Sequence, residues 1–168
     1  LRLSVFALKS SLMYKEFRAT LPKKFVENTI ALCGKKGELW LDELPIIIAA
    51  LETKWSIKAG KHFRNLSYNY VANVFLPDGK SAVLKIGLPL NDVEIYGEAA
   101  YLQALDGHGA ARLVEFDRER QAALLERVAP GANLKSVCKK DQSEAVTITI
   151  RALRRILRPI PEVSNDFI

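Results

Sequence analysis

Leu66-Ser67-Tyr68-Asn69-Tyr70-Val71, followed after Pro77-Asp78-Gly79 by Ala82-Val83-Leu84-Lys85-Ile86-Gly87, decides how this chain is read. Aromatic and β-branched residues on both sides of a Pro-Asp-Gly turn predict two strands joined tightly. One lysine, Lys85, stands among Val83, Leu84 and Ile86. Burying an unpaired ammonium is costly, so a lysine in such company calls for a partner or a ligand. The acidic helix expected from Asn91 to Asp106 follows at once and carries two glutamates. A strand lysine followed by a helix glutamate is the opening of a phosphoryl-transfer site.

Working outward, the strand signal starts near Phe63, runs through Val71 to Phe75, and returns from Ser81 to Ile86. A helix is expected over Asp92 to Leu105, closed by Asp106-Gly107. Two further strands are expected, Ala111 to Phe116 and Ala122 to Val128, with Asp117-Arg118-Glu119-Arg120 as the polar turn between them. Pro130-Gly131 breaks the pattern, and a last helix is expected from Gln142 to Leu157. Upstream, Phe25, Val26, Ile30 and Cys33 fall at near-helical spacing and stop at Gly34. A second helix is expected after Asp42, with Leu44, Ile47, Ile48, Leu51 and Trp55 on one apolar stripe and Pro45 in its first turn. These helices are expected to cover a sheet. Hairpins with a single inserted helix favour an antiparallel sheet and an α+β fold. The expected organisation is an uncertain leader over 1–20, a helical region over 21–60, a sheet domain over 61–129 and an exit segment over 130–168.

At 168 residues, 49% hydrophobic and 26% charged, the chain has the make-up of a globular domain with a real core. A net charge of +6 suits polyanions or phosphate-bearing ligands without choosing between them. Cys33 and Cys138 have no CxxC spacing and are expected to be free thiols of a reducing cytoplasm. No uncharged apolar run approaches the roughly 20 residues that cross a bilayer. Lys9 interrupts the apolar opening and no small-residue cleavage site follows, which argues against a signal peptide. The chain opens on Leu1 rather than Met, and residues 1–20 are left out of the functional reading.

Two readings of Lys85 stay open from the local pattern: an ammonium held toward nucleotide phosphates, or a strand-end lysine whose stem covers apolar surface while its head reaches water. Glu94 lies three residues after Asn91, the spacing of a capping box, which gives it a structural role. Glu98 lies one turn on, where no cap is available, and is the expected partner of Lys85. The Ser67 to Tyr70 turn contains no glycine, but Ser67 and Asn69 can donate side-chain hydrogen bonds to phosphate. An ordinary hairpin with exposed tyrosines explains the same residues. Glu126-Arg127-Val128 ends a strand abruptly, where free backbone groups could meet a ligand edge such as adenine; a plain edge strand is the simpler alternative.

His62 and His108 have no acidic or cysteine neighbours at ligand spacing. No GxSxG, HExxH or Walker motif occurs. Arg151, Arg154, Arg155 and Arg158 share one helix face opposite Val146, Ile150, Leu153 and Leu157, the pattern of a solvated face over an apolar one.

Together with Trp40-Leu41-Asp42-Glu43-Leu44-Pro45, Asp106-Gly107-His108-Gly109-Ala110-Ala111-Arg112-Leu113 and Ala123-Leu124-Leu125-Glu126-Arg127, the two strands resemble the aminoglycoside/hydroxyurea antibiotic resistance kinase family. The likeness runs from about Leu21 to Arg158. It implies a protein-kinase-like N-terminal lobe: a five-stranded antiparallel sheet with one internal helix, preceded by N-terminal helices and followed by the first helix of a C-terminal lobe. Lys85 would be the phosphate-binding lysine and Glu98 the glutamate that orients it. The turn with Ser67 and Asn69 would cover the nucleotide, and the backbone from Glu126 to Val128 would receive adenine. ATP and magnesium are the implied cofactors, an aminoglycoside or related antibiotic the implied acceptor, and neither membrane nor nucleic acid an expected partner. The family's HGD-type catalytic loop does not occur here. The implied state is therefore half a site, with no catalytic residue or metal ligand and no expected activity alone. An exposed lobe face would favour self-association. A second reading is a non-catalytic module using the basic helix on an acidic partner.

Overall fold

The computed structural model describes residues 15–90, 94–137 and 142–157. Its elements are α1 (Lys23–Trp55), β1 (Lys58–His62), β2 (Tyr70–Phe75), β3 (Ser81–Ile86), α2 (Glu94–Leu105), β4 (Leu113–Asp117), β5 (Ala122–Glu126), the single turn α3 (Leu134–Val137) and α4 (Gln142–Ile156). Residues 15–20 are also helical. The five strands form one antiparallel sheet in the order β1-β2-β3-β5-β4, so the fold is α+β as expected.

The first α1 arm breaks at Gly34, whose φ of 55° and ψ of −135° lie outside the helix. The second arm corrects the sequence expectation, because it resumes directly after Gly34 and not after Asp42. Pro45 therefore lies inside a helix, where it removes the bond that its N–H would have given to Leu41. The cause lies in burial: Trp40 and Leu41 extend the stripe of Leu44, Ile48 and Leu51 backward by a turn. The two arms cross at Gly37, where a Cβ would stand 2.6 Å from the Thr29 carbonyl oxygen. Only glycine allows that approach. Phe25 and Trp40 meet across it with ring centroids 6.1 Å apart.

The back face of the sheet is the alternate set Tyr70, Ala72, Val74, Ala82, Leu84, Ile86, Ala122 and Leu124, matched by register and buried throughout. These residues share one core with the apolar stripe of α1. Each large side chain so removed from water contributes roughly 1.5–3 kcal/mol. The front face carries Val71 and Asn73 on β2, Val83 and Lys85 on β3, and Ala123 and Leu125 on β5. Helix α2 packs beside β4, with the Tyr96 ring edge-on to Phe116 at 5.9 Å.

Four sequence boundaries move. The first strand, β1, precedes the expected start near Phe63, because its Lys58-Ala59-Gly60-Lys61-His62 shows no apolar alternation and stands at the sheet edge. Leu66 to Asn69 are loop, and the strand begins at Tyr70. Strand β4 starts at Leu113 rather than Ala111, and β5 ends at Glu126 rather than Val128. The Pro77-Asp78-Gly79 turn forms as expected, with Leu76 N–H donating to the Lys80 carbonyl at 2.8 Å and Gly79 N–H to the Leu76 carbonyl at 2.9 Å. Asn91, Cys138 and Arg158 lie outside the described residues, and with Asn91 goes the capping box.

One buried charge joins the layers. The Asp117 carboxylate is 1% exposed and accepts hydrogen bonds from Lys54 Nζ (3.0 Å), Arg120 N–H (2.9 Å) and Arg120 Nη1 (3.0 Å). Burial pushes this carboxyl up, but the bonds from Arg120 and Lys54 outweigh it and hold it below the usual carboxylate range. The last turn of α1 is thereby tied to the β4–β5 hairpin.

Candidate functional site

Lys85 projects from the front face, and its Nζ pairs with Glu98 Oε2 of α2. The lysine side chain is 18% exposed and the glutamate 35%, so the pair is partly withdrawn from water while one side stays open. Register places Val71 and Ala123 on either side of Lys85. The apolar neighbours that made a lone ammonium costly are the walls that steer it onto the carboxylate.

Two cavities flank this pair. The larger, about 430 Å³, is lined by Phe63, Asn65, Leu66, Ser67, Tyr68, Asn69, Val71, Val83 and Lys85. Its floor is the apolar pair Val71 and Val83, its cover is the 63–69 loop, and its charged end is Lys85. The smaller, about 110 Å³, is lined among others by Tyr68, Asn69, Glu94, Glu98 and Gln121. Tyr68 and Asn69 border both. The loop is anchored at two points. Leu66 is buried in the core, and Asn28 Nδ2 of α1 donates to the Ser67 carbonyl at 3.0 Å. Tyr70, just beyond it, is buried enough that its phenol is pushed up to about 12.

Ser67, Asn69 and Lys85 thus share one cavity, and Glu98 joins them through the ion pair. Glu126 and Val128 do not line either cavity. The Glu126 N–H donates to the Arg112 carbonyl at 2.8 Å, and Glu126 Oε2 accepts from the Arg112 N–H at 3.2 Å. Its side chain is therefore spent on the strand pair, and Val128 is exposed. Sequence reasoning passed over Phe63, Val71 and Val83 as lining residues and Arg127 as a front-side group. The two-residue alternation leading to Lys85 on β3 and from Ala123 toward Arg127 on β5 was the available signal.

The histidines have structural contacts. His62 turns Nδ1 to the Phe63 carbonyl and Nε2 to the Thr20 carbonyl, each at 3.0 Å, and His108 turns Nδ1 to the Leu105 carbonyl at 2.9 Å. Among the described residues no group of three or more His, Cys, Asp or Glu side chains could hold a metal ion, and no helix is long and apolar enough to cross a membrane. Helix α4 has no buried residue; Val146, Ile150, Leu153 and Leu157 are exposed, as are Arg151, Arg154 and Arg155. Both faces of α4 meet solvent, and only its last turn touches the lobe among the described residues, where the Tyr101 hydroxyl donates to the Ile156 carbonyl at 3.2 Å.

An antiparallel five-stranded sheet with one helix inserted after its third strand, and a lysine on that strand paired to a glutamate on that helix, is a kinase-like N-terminal lobe. The chain belongs to the aminoglycoside/hydroxyurea antibiotic resistance kinase family, whose model matches residues 54–167. It is 31% identical over 136 residues to the hydroxyurea phosphotransferase of Kitasatospora aureofaciens, covering 81% of this chain and 39% of that protein. It is 27% identical over 137 residues to the streptomycin 6-kinase of Streptomyces glaucescens, covering 82% of this chain and 43% of that one. The chain thus spans about two fifths of the length of these curated relatives.

Proposed function

We propose that this chain is the nucleotide-holding lobe of an ATP-dependent kinase that phosphorylates a hydroxyl of an aminoglycoside or related antibiotic. The observation that carries the reading is the Lys85–Glu98 ion pair at the end of an apolar cavity covered by the 63–69 loop. Lys85 presents its ammonium to the phosphates, and Glu98 keeps that ammonium aimed. Ser67 and Asn69 add hydrogen bonds from the cover, and the backbone between Glu126 and Val128 receives the adenine edge. Among the described residues no group of three or more His, Cys, Asp or Glu side chains could hold a metal ion, so no step is assigned through magnesium. An HGD-type loop is likewise absent from the sequence. The proposed role of these residues is to bind and orient nucleotide, and the chain by itself transfers no phosphoryl group.

Calorimetric titration of ATP–magnesium tests this. The unmodified chain is expected to bind, and Lys85→Ala to bind at least about tenfold more weakly, the scale of a lost charge-assisted contact, with the fold intact. Equal affinities, including no binding to either, would reject the reading. The same proposal has the apolar stripe of α4 drive self-association of the isolated chain, since that stripe is uncovered here. Three exposed arginines on α4 support a second reading, a module that binds an acidic partner. Salt-sensitive binding lost on replacing Arg151, Arg154 and Arg155 would favour it.

A further inference from the structure

Arg127 sits between the two residues proposed to meet adenine, and its side chain is engaged elsewhere. It follows Leu125 by two positions, so strand alternation keeps it on the front side. Its guanidinium reaches back across β3. Nη1 donates to Asn73 Oδ1 on β2, and Cζ lies 5.7 Å from the Phe63 ring centroid. Phe63 lines the larger cavity, and its N–H donates to the Val71 carbonyl at 2.9 Å where the 63–69 loop leaves the sheet. Neither contact neutralises Arg127. Asn73 is uncharged, and no carboxylate among the described residues pairs with the guanidinium.

Lys85 pairs in register with Val71, and Asn73, which holds the Arg127 guanidinium, lies two residues further along β2. At strand spacing that is about 7 Å. The two cations therefore mark the Lys85 and Asn73 ends of a floor made by Val71 and Val83. A phosphate chain suits the Lys85 end. The other end, a guanidinium over a phenyl ring with donors to spare, suits a planar base and its ribose.

Resting on the nucleotide-site reading above, we propose that Arg127 is the nucleobase-positioning residue. It clamps the Phe63 ring to the strand exit and so sets how tightly the nucleoside half of the ligand is held, without acting on the phosphates.

The test is to titrate the full 168-residue chain separately with adenosine, tripolyphosphate and ATP. Arg127→Ala is expected to weaken adenosine and ATP roughly fivefold, the scale of a lost cation–π clamp, and to leave tripolyphosphate unchanged. Arg127→Lys keeps a cation over the ring and is expected to recover part of the loss. Lys85→Ala should give the opposite split, weakening tripolyphosphate and sparing adenosine. If Arg127→Ala lowers the melting temperature, Phe63→Leu removes the ring with the arginine retained and should show the same adenosine-selective loss. An Arg127→Ala effect equal on all three ligands, or on none, would overturn the proposal while leaving the nucleotide site standing. No binding of any ligand by the unmodified chain would overturn both.

Discussion

The two faces of β2, β3 and β5 come from alternate residues of the same strands, yet one is closed and the other open. On the back, Leu84, Ala72 and Leu124 are apolar and sealed beneath α1. On the front, one residue over in each strand, stand Lys85, Val71 and Ala123, and the space above Val71 and Lys85 is a cavity. The stability of this lobe thus resides on one face and the proposed ligand chemistry on the other. A period of two separates them, so a single strand serves both without compromise.

Neighbouring substitutions on β3 test that division most strongly. Leu84→Ala is expected to cost about 2–5 kcal/mol, because a fully buried leucine leaves a cavity under α1. Val83→Ala, half-buried on the front, is expected to cost about 1 kcal/mol or less and to register in nucleotide affinity instead. Chemical denaturation of both variants would break the comparison if the two losses were equal.

Asp117 gives a smaller effect with a pH signature. Asp117→Asn is expected to lose about 1–3 kcal/mol near neutrality, since a buried acceptor would no longer be matched to Lys54 and Arg120. The folded carboxyl titrates below its unfolded value, so its stabilisation is present above about pH 4 and is lost as pH falls through the folded pKa. Between pH 5 and pH 2 the unmodified chain should therefore lose stability more steeply than the variant in thermal melts. Parallel curves would remove the charge from the link between α1 and the hairpin.

Tyr70 probes the back face from the alkaline side. Its phenol is held neutral by burial up to about 12, above the unfolded value near 10. That stabilisation is complete below pH 10 and fades as pH rises toward 12. Tyr70→Phe should remove this share of the alkaline slope while leaving the melting temperature at pH 7 nearly unchanged.

The smallest change concerns α4. Leu153→Gln should leave stability within about 0.5 kcal/mol, because the side chain is about half exposed on a helix with no buried residue. Sedimentation velocity should show less self-association than in the unmodified chain; an identical profile would remove α4 from any such contact.

The central hairpin, the inserted helix and the choice of Glu98 beside Lys85 were legible because alternation, a Pro-Asp-Gly turn and helical spacing are local signals. β1 was not, since Lys58-Ala59-Gly60-Lys61-His62 is held by backbone pairing at an edge and needs no apolar face. The start of the second α1 arm was misplaced because Pro45 reads locally as a first-turn residue, while the burial of Trp40 and Leu41 is a tertiary fact. In the site, Lys85, Ser67 and Asn69 could be named as polar residues in unusual settings. Arg127 could be placed on the front side by alternation, but its contact with Phe63 could not, because that contact joins residues 64 positions apart through the register of three strands.

Amide chemical-shift mapping of the labelled chain on titration with ATP most directly tests the assignment of ligand chemistry to the front face. The expected result is shifts concentrated in the 63–71 segment, at Lys85 and from Glu126 to Val128, with α4 and the α1 core at Leu44 to Leu51 silent. Shifts centred on Arg151 to Arg155, or none anywhere, would contradict it.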